Sequence, residues 1–260
     1  MTHRHTRRLL RTGLIATALL SHGASYAQQE SAGGGQPPEG WGLGVVASAS
    51  QKPYRDVDGK AEVWPMLTYE NRWIRLFGPG LDVKLGKTGP VSYALTAGMS
   101  REGYRASDSS YLDGMDERKG GIWLGGRVMW EAGFAKLSAA WQADASSHSD
   151  GQKVTLGVER RFAVDNLGFT PRVKAIWLDR KYVDYYYGVS ASEARSNRPQ
   201  YAGSSTVNSE LGLRVDYRLT PAQTVFLDAG VTMLGSAIKD SPLVGRSTVG
   251  EARLGYLYRF

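Results

Sequence analysis

Residues 210–233 read ELGLRVDYRLTPAQTVFLDAGVTM, two alternating segments joined by the turn residues Thr220-Pro221-Ala222-Gln223. In the first segment Leu211, Leu213, Val215, Tyr217 and Leu219 alternate with Glu210, Gly212, Arg214, Asp216 and Arg218. A period of two sends successive side chains to opposite faces of a strand, so one face is apolar and the other carries four charges. The second segment repeats the pattern, with Val225, Leu227, Ala229, Val231 and Met233 opposing Phe226, Asp228, Gly230 and Thr232. One face suits lipid and the other must meet water, which is the pattern of a membrane β-barrel wall.

Outward from this hairpin the same alternation recurs at Trp123–Trp130, Phe134–Ala143, Val154–Phe162 and Phe169–Trp177. Tight turns at Lys87-Thr88-Gly89, Glu131-Ala132-Gly133 and 220–223, with a further one expected at 163–168, contrast with long connections at 101–120, 181–205 and 235–246. Bacterial barrels use short periplasmic turns and long external loops, and an even strand number brings both ends of the wall to the periplasm. The expectation is an all-β, antiparallel transmembrane barrel of about 12 strands. They fall near 41–50, 61–70, 72–77, 81–86, 91–100, 121–130, 134–144, 152–162, 169–180, 206–218, 223–234 and 247–260. Ten strands is the alternative, because 72–77 and 81–86 are short for a crossing of roughly 9–11 residues. Trp41, Trp64, Trp73, Trp123, Trp130, Trp141 and Trp177 all lie at or near strand ends, as expected of aromatic girdles rather than of a β-sandwich core.

The chain opens with Arg4, Arg7, Arg8 and Arg11 before an apolar run from Leu14 to Leu20 and a small-residue site at Ser25-Tyr26-Ala27. This reads as a cleaved secretory leader at 1–27, its apolar run too short for a membrane helix of roughly 20 residues. Residues 28–40, QQESAGGGQPPEG, read as a flexible periplasmic lead-in, followed by the barrel at 41–260. Without the four leader arginines the chain carries 28 basic against 25 acidic residues, scattered along it, so its charge does not point to nucleic acid. It has no cysteine, so neither disulfides nor a lipidated thiol contribute; a closed barrel in lipid is stabilised by complete backbone hydrogen bonding instead.

Three stretches carry a family resemblance. They are Lys181-Tyr182-Val183-Asp184-Tyr185-Tyr186-Tyr187-Gly188-Val189 after a strand with Pro171, the element Asp240-Ser241-Pro242-Leu243-Val244, and the terminal Tyr258-Arg259-Phe260, where Tyr256, Tyr258 and Phe260 share one face as a barrel-closing signal. With Pro65-Met66-Leu67-Thr68-Tyr69 in the second strand, the mature chain resembles the MltA-interacting protein (MipA)/OmpV family of outer-membrane proteins. The resemblance implies residence in the Gram-negative outer membrane, contact with lipid and the assembly machinery, and a scaffold that joins a murein hydrolase to a murein synthase.

Candidate chemistry is sparse. His3, His5 and His22 lie in the leader, leaving His148 in Ser146-Ser147-His148-Ser149-Asp150, and neighbouring loop residues seldom hold the geometry of a catalytic triad. Asp56-Val57-Asp58-Gly59 and Asp113, Asp116 and Glu117 match no cation-loop spacing and read as polar turns; the Gly-rich stretches 32–35 and 78–80 lack phosphate-loop spacing. No catalytic, cofactor or metal residues are assigned. Tyr185, Tyr186, Tyr187 and Gly188 read as a plug closing the barrel mouth, packed by Asp240-Ser241-Pro242, with a binding anchor as the other reading. The expected function is binding without catalysis. The rivals are a small-solute channel, motivated by Arg214, Asp216, Arg218, Lys136 and Gln142 on lumen faces, and a surface adhesin or antigen.

Overall fold

The computed structural model describes residues 39–260. The leader at 1–27 and nearly all of the lead-in lie outside the described residues, and Gly40 already belongs to the first strand. The wall runs through β1 (Gly40–Ser50), β2 (Lys60–Glu70), β3 (Ile74–Phe77), β4 (Gly80–Thr88), β5 (Val91–Met99), β6 (Ile122–Glu131) and β7 (Lys136–Asp144). It continues through β8 (Gln152–Glu159), β9 (Phe162–Val164), β10 (Leu167–Leu178), β11 (Thr206–Thr220), β12 (Gln223–Met233) and β13 (Thr248–Arg259). All neighbours are antiparallel. β10 pairs with β8 at Arg172↔Glu159 and with β9 at Phe169↔Phe162, so β8 and β9 are two pieces of one wall strand. Twelve strands therefore surround the lumen. The ring closes where β1 meets β13, from Gly42↔Arg259 to Ser50↔Glu251. Both ends of the wall lie at the short-turn end, the periplasmic one by the rule for bacterial barrels.

Alternation places the faces as the sequence indicates. Leu211, Leu213, Leu227 and Val231 point outward and are exposed, while Glu210, Arg214, Asp216 and Asp228 are buried in the interior. An outward apolar face in lipid and an inward charged face follow from the same period of two. The short pair survives as two strands, which removes the ten-strand alternative: β3 and β4 pair from Ile74↔Val83 to Phe77↔Gly80. The turn expected at 163–168 shrinks to Asp165-Asn166, because Val164 already pairs with Leu167 and Asp165 adopts φ 52°. Left-handed Asp is what a two-residue hairpin turn of the right twist requires.

The tryptophans divide. Trp41, Trp73 and Trp130 are exposed towards the short-turn end, and Trp141 and Trp177 towards the long-loop end, forming two girdles. Trp123, expected in a girdle, instead is 2% exposed and faces inward; Trp64 also packs inside, beside Met66 and Phe226. Both share a strand face with inward polar residues, Arg127 for Trp123 and Glu62 for Trp64, so parity rather than position near a strand end settles them.

The long connection at 181–205 is not wholly irregular. It opens with helix α1 (Arg180–Tyr187), and 235–246 contains the single turn α2 (Ser236–Lys239). Asp179 caps α1, its carboxylate accepting a hydrogen bond from Tyr182 N at 2.9 Å. An eight-residue helix is marginal alone, so tertiary packing of Tyr182, Val183, Tyr186 and Tyr187 holds it.

Candidate functional site

The long loops fold inward over the outer mouth. Tyr54 and Val57 from 51–59, Tyr104, Leu112 and Met115 from 100–121, the α1 face, and Ile238, Leu243 and Val244 from 234–247 form one buried cluster that rests on Trp123 and Leu178. Burial of each large apolar side chain contributes roughly 1.5–3 kcal/mol, enough to hold such a cluster closed against loop entropy. The aromatic contacts are direct: Tyr54 and Tyr187 stack at 5.6 Å, Tyr54 meets Tyr104 edge-on at 4.7 Å, and Tyr182 lies 5.8 Å from Trp123. Burial pushes the Tyr54, Tyr182 and Tyr186 phenols well above the usual tyrosine range.

The two sequence motifs meet here. Tyr186 and Tyr187 are buried in the plug, and Ser241 donates to Tyr187 O at 2.6 Å. Pro242 O accepts from Arg55 Nε at 2.8 Å, tying 234–247 to 51–59. Asp240 caps α2 and is exposed; Gly188 ends α1, its N–H donating to Asp184 O at 2.8 Å. Tyr185 is partly buried and packs against the cluster edge-on to Tyr186 at 4.8 Å, its hydroxyl accepting from Lys119 N at 2.9 Å and its carbonyl from Arg118 Nε at 2.8 Å. Tyr256 and Tyr258 lie on β13, and Phe260 N donates to Trp41 O at 3.1 Å, fastening the end of the chain to the first strand.

Sequence reasoning missed the polar clamp of the plug. Glu193 is 4% exposed, and its carboxylate accepts from Arg118 at 2.7 and 3.0 Å, Asp116 N at 3.0 Å, Ser190 N at 3.0 Å and Ser190 Oγ at 2.8 Å. Burial pushes this carboxyl up, but the amide and hydroxyl hydrogen bonds and the Arg118 charge outweigh it and hold the group below the usual glutamate value. Arg198, 1% exposed, ties the same loops through the carbonyls of Glu193, Tyr111 and Asp113. Nothing in the polar run around 190–198 marks these residues, since the partners that tie them to 100–121 lie some 75–87 positions away.

His148 and its serines form no relay. His148 Nδ1 lies 2.8 Å from Gly120 O, while Ser146 Oγ and Ser149 Oγ donate to Asp144 at 2.6 and 2.8 Å. Asp144 thus organises the 145–151 loop. The acidic loop residues are dispersed: Glu117 pairs with Arg105 at 3.1 Å, and no three potential metal ligands converge among the described residues.

Beneath the plug lies a cavity of about 350 Å³, reaching from Trp123, Tyr182 and Tyr187 down to Met129, Lys136 and Glu159 near the short-turn end. The lumen charges mostly neutralise one another. Arg172 grips Asp228 through two bonds of 2.9 Å and Glu210 at 3.0 Å, Arg161 grips Asp216 at 2.5 and 2.6 Å, and Arg127 pairs with Asp82. Arg214 stacks on Phe226 at 4.1 Å. Thr96 Oγ1 and Trp123 Nε1, both on residues of the cavity wall, are buried without a hydrogen-bond partner.

Residues 42–260 match the family model described as MltA-interacting protein MipA. This chain belongs to the MipA family. The MltA-interacting protein of Escherichia coli K12 is 29% identical over 252 residues, spanning 95% of this chain and 96% of the relative. Outer membrane protein OmpV of Vibrio cholerae is 26% identical over 242 residues, 89% of this chain and 92% of the relative. Among solved structures, an outer membrane channel from Pseudomonas putida F1 superposes with a TM-score of 0.43 at 15% identity, covering 89% of this chain and all of that one. Family membership and the twelve-stranded antiparallel ring place this MipA-family barrel in the Gram-negative outer membrane.

Proposed function

We propose that this barrel acts by binding, as an outer-membrane anchor that holds a murein hydrolase and a murein synthase on its periplasmic side, and that it is not an enzyme. The observation that carries this reading is the closed outer mouth: a continuous plug from 51–59, 100–121, 179–205 and 234–247 is a poor entrance for free diffusion. The name of the Escherichia coli relative, an MltA-interacting protein, supports a murein enzyme as partner. The periplasmic turns are small, with only Pro221-Ala222 between β11 and β12 and Asp165-Asn166 between β9 and β10. A standard interface needs roughly 800 Å² per partner, so the lead-in at 28–40 must supply much of the surface. Planar-bilayer conductance of the refolded mature protein tests the closure, with no stable steps expected. Capture of a purified murein hydrolase tests the scaffold: replacing 28–40 together with those turns is expected to abolish it, and unchanged capture overturns the reading.

The second reading, uptake of a small solute, draws on the polar cavity under the plug. Steady ohmic steps from the folded protein put that reading first.

A further inference from the structure

One stretch of the wall is not closed by strand pairing. β2 pairs with β1 along its whole length, up to Ser50↔Lys60, but its pairing with β3 covers only Thr68↔Phe77 to Glu70↔Arg75. The last rung is Gly78 N donating to Leu67 O at 2.9 Å, where the β3–β4 hairpin turns back at Gly78-Pro79. Above it, Lys60–Met66 has no strand partner on that side among the described residues. At about 3.3 Å per residue this is roughly 20 Å of strand edge.

Because Leu67 directs its backbone groups towards β3, the alternate residues Ala61, Val63 and Pro65 direct theirs towards the gap. An open edge in lipid leaves backbone groups unsatisfied, and proline at that edge removes one donor that would otherwise be lost. Pro65 therefore sits where a wall meant to stay open along β2 requires it. Val63, 71% exposed, marks the stretch as facing lipid.

Across the gap, β5 ends at Met99 and the chain sends Arg101 back to β2. Its guanidinium lies 4.4 Å over the Trp64 ring and 2.6 Å from Glu62 Oε2, a partly exposed, two-point latch. The neighbours of Arg101, Ser100 and Glu102, line the lumen cavity, as do Gly98 and Met99. The cavity wall also holds the orphaned Thr96 Oγ1 and Trp123 Nε1 beside aromatic surface.

We propose that the gap between β2 and β5 is a lateral portal, latched by Arg101 on Glu62 and Trp64, through which a small amphiphile with a hydrogen-bonding head passes between the outer leaflet and the lumen cavity. The apolar body of such a molecule matches the lipid-facing gap, and its head matches the orphaned polar atoms inside. The inference goes beyond the scaffold reading and does not depend on it.

The chain is free of cysteine, so engineered thiols are unambiguous. The experiment uses the full mature protein in liposomes, a photoactivatable diazirine-bearing decanol as probe, and mass spectrometry to map labelled residues. Folding of each variant is confirmed by its heat-modifiable gel mobility. Arg101→Ala is expected to raise labelling of the buried cavity residues Trp123 and Tyr182 several-fold. In the Glu62→Cys/Arg101→Cys variant, bridging the thiols with a short bismaleimide is expected to remove nearly all cavity labelling and leave lipid-facing labels such as Leu95 intact. Labels confined to lipid-facing residues in every form overturn the proposal. So does cavity labelling that is equal before and after bridging, since the probe then enters from the periplasm. Should Arg101→Ala not assemble, the bridged and unbridged forms of the cysteine pair decide alone.

Discussion

Glu193 and Arg118 carry the polar interior of the plug. Replacing the carboxylate by an amide, Glu193→Gln, leaves the Arg118 guanidinium buried with its charge uncompensated, and breaking a buried pair costs roughly 3–5 kcal/mol. The expected outcome is a fall of roughly a hundredfold or more in hydrogen-exchange protection across 179–205, with the strands unchanged. The same residue gives the plug an acid limit. Its carboxyl is held below the usual glutamate value, so its contribution is complete above that value and is lost as pH falls through the folded-state value. Exchange protection of 179–205 measured down an acid series should decline in wild type and be flat over that range in Glu193→Gln. The inward turn of Trp123, expected in a girdle, follows from strand parity at this scale, whereas the role of Glu193 follows from nothing local. Parity with Arg127 turns Trp123 inward, whereas a lone glutamate in a polar loop carries no mark of five hydrogen bonds drawn from separate segments.

Among the elements, α1 shows how a marginal helix is fixed at both ends. The Asp179 cap is worth roughly 1 kcal/mol, so Asp179→Ala should raise amide exchange at Tyr182 and Val183 by about fivefold to tenfold. Unchanged exchange would mean that packing alone holds the turn. The alternating strands are readable residue by residue, because a barrel wall meets lipid on one side and water on the other. The helix is not, since Tyr182, Val183, Tyr186 and Tyr187 acquire a common face only when the other loops supply something to bury it. At the last strand, Phe260 closes β13 onto Trp41 through its backbone N–H. Deleting Phe260 should reduce the fraction of chains that reach the heat-modifiable barrel form in cells, while refolding of purified protein in detergent changes less.

For the molecule as a whole, closure of the mouth is a property of four loops together. Replacing 181–204 with a short Gly-Ser linker removes the α1 face and Glu193, and should give resolvable conductance steps in planar bilayers where the intact barrel is expected to give none. Continued silence would locate the barrier lower, at the Val46, Met66, Phe226 and Leu257 cluster that narrows the lumen. The paired lumen charges Arg172–Asp228 and Arg161–Asp216 would then be part of a filled interior, not of a solute path.

The sequence by itself determined the architecture: the period of two and the spacing of turns and long connections specify an antiparallel transmembrane barrel. These features are local, and the lipid–water contrast imposes them on each strand independently. Only the tertiary structure decided what the loops do and where the wall stays open. The plug joins residues more than a hundred positions apart, as in Tyr54 with Tyr187. The gap beside β2 arises from the register of a hairpin that stops early, and register belongs to pairs of strands rather than to either strand alone.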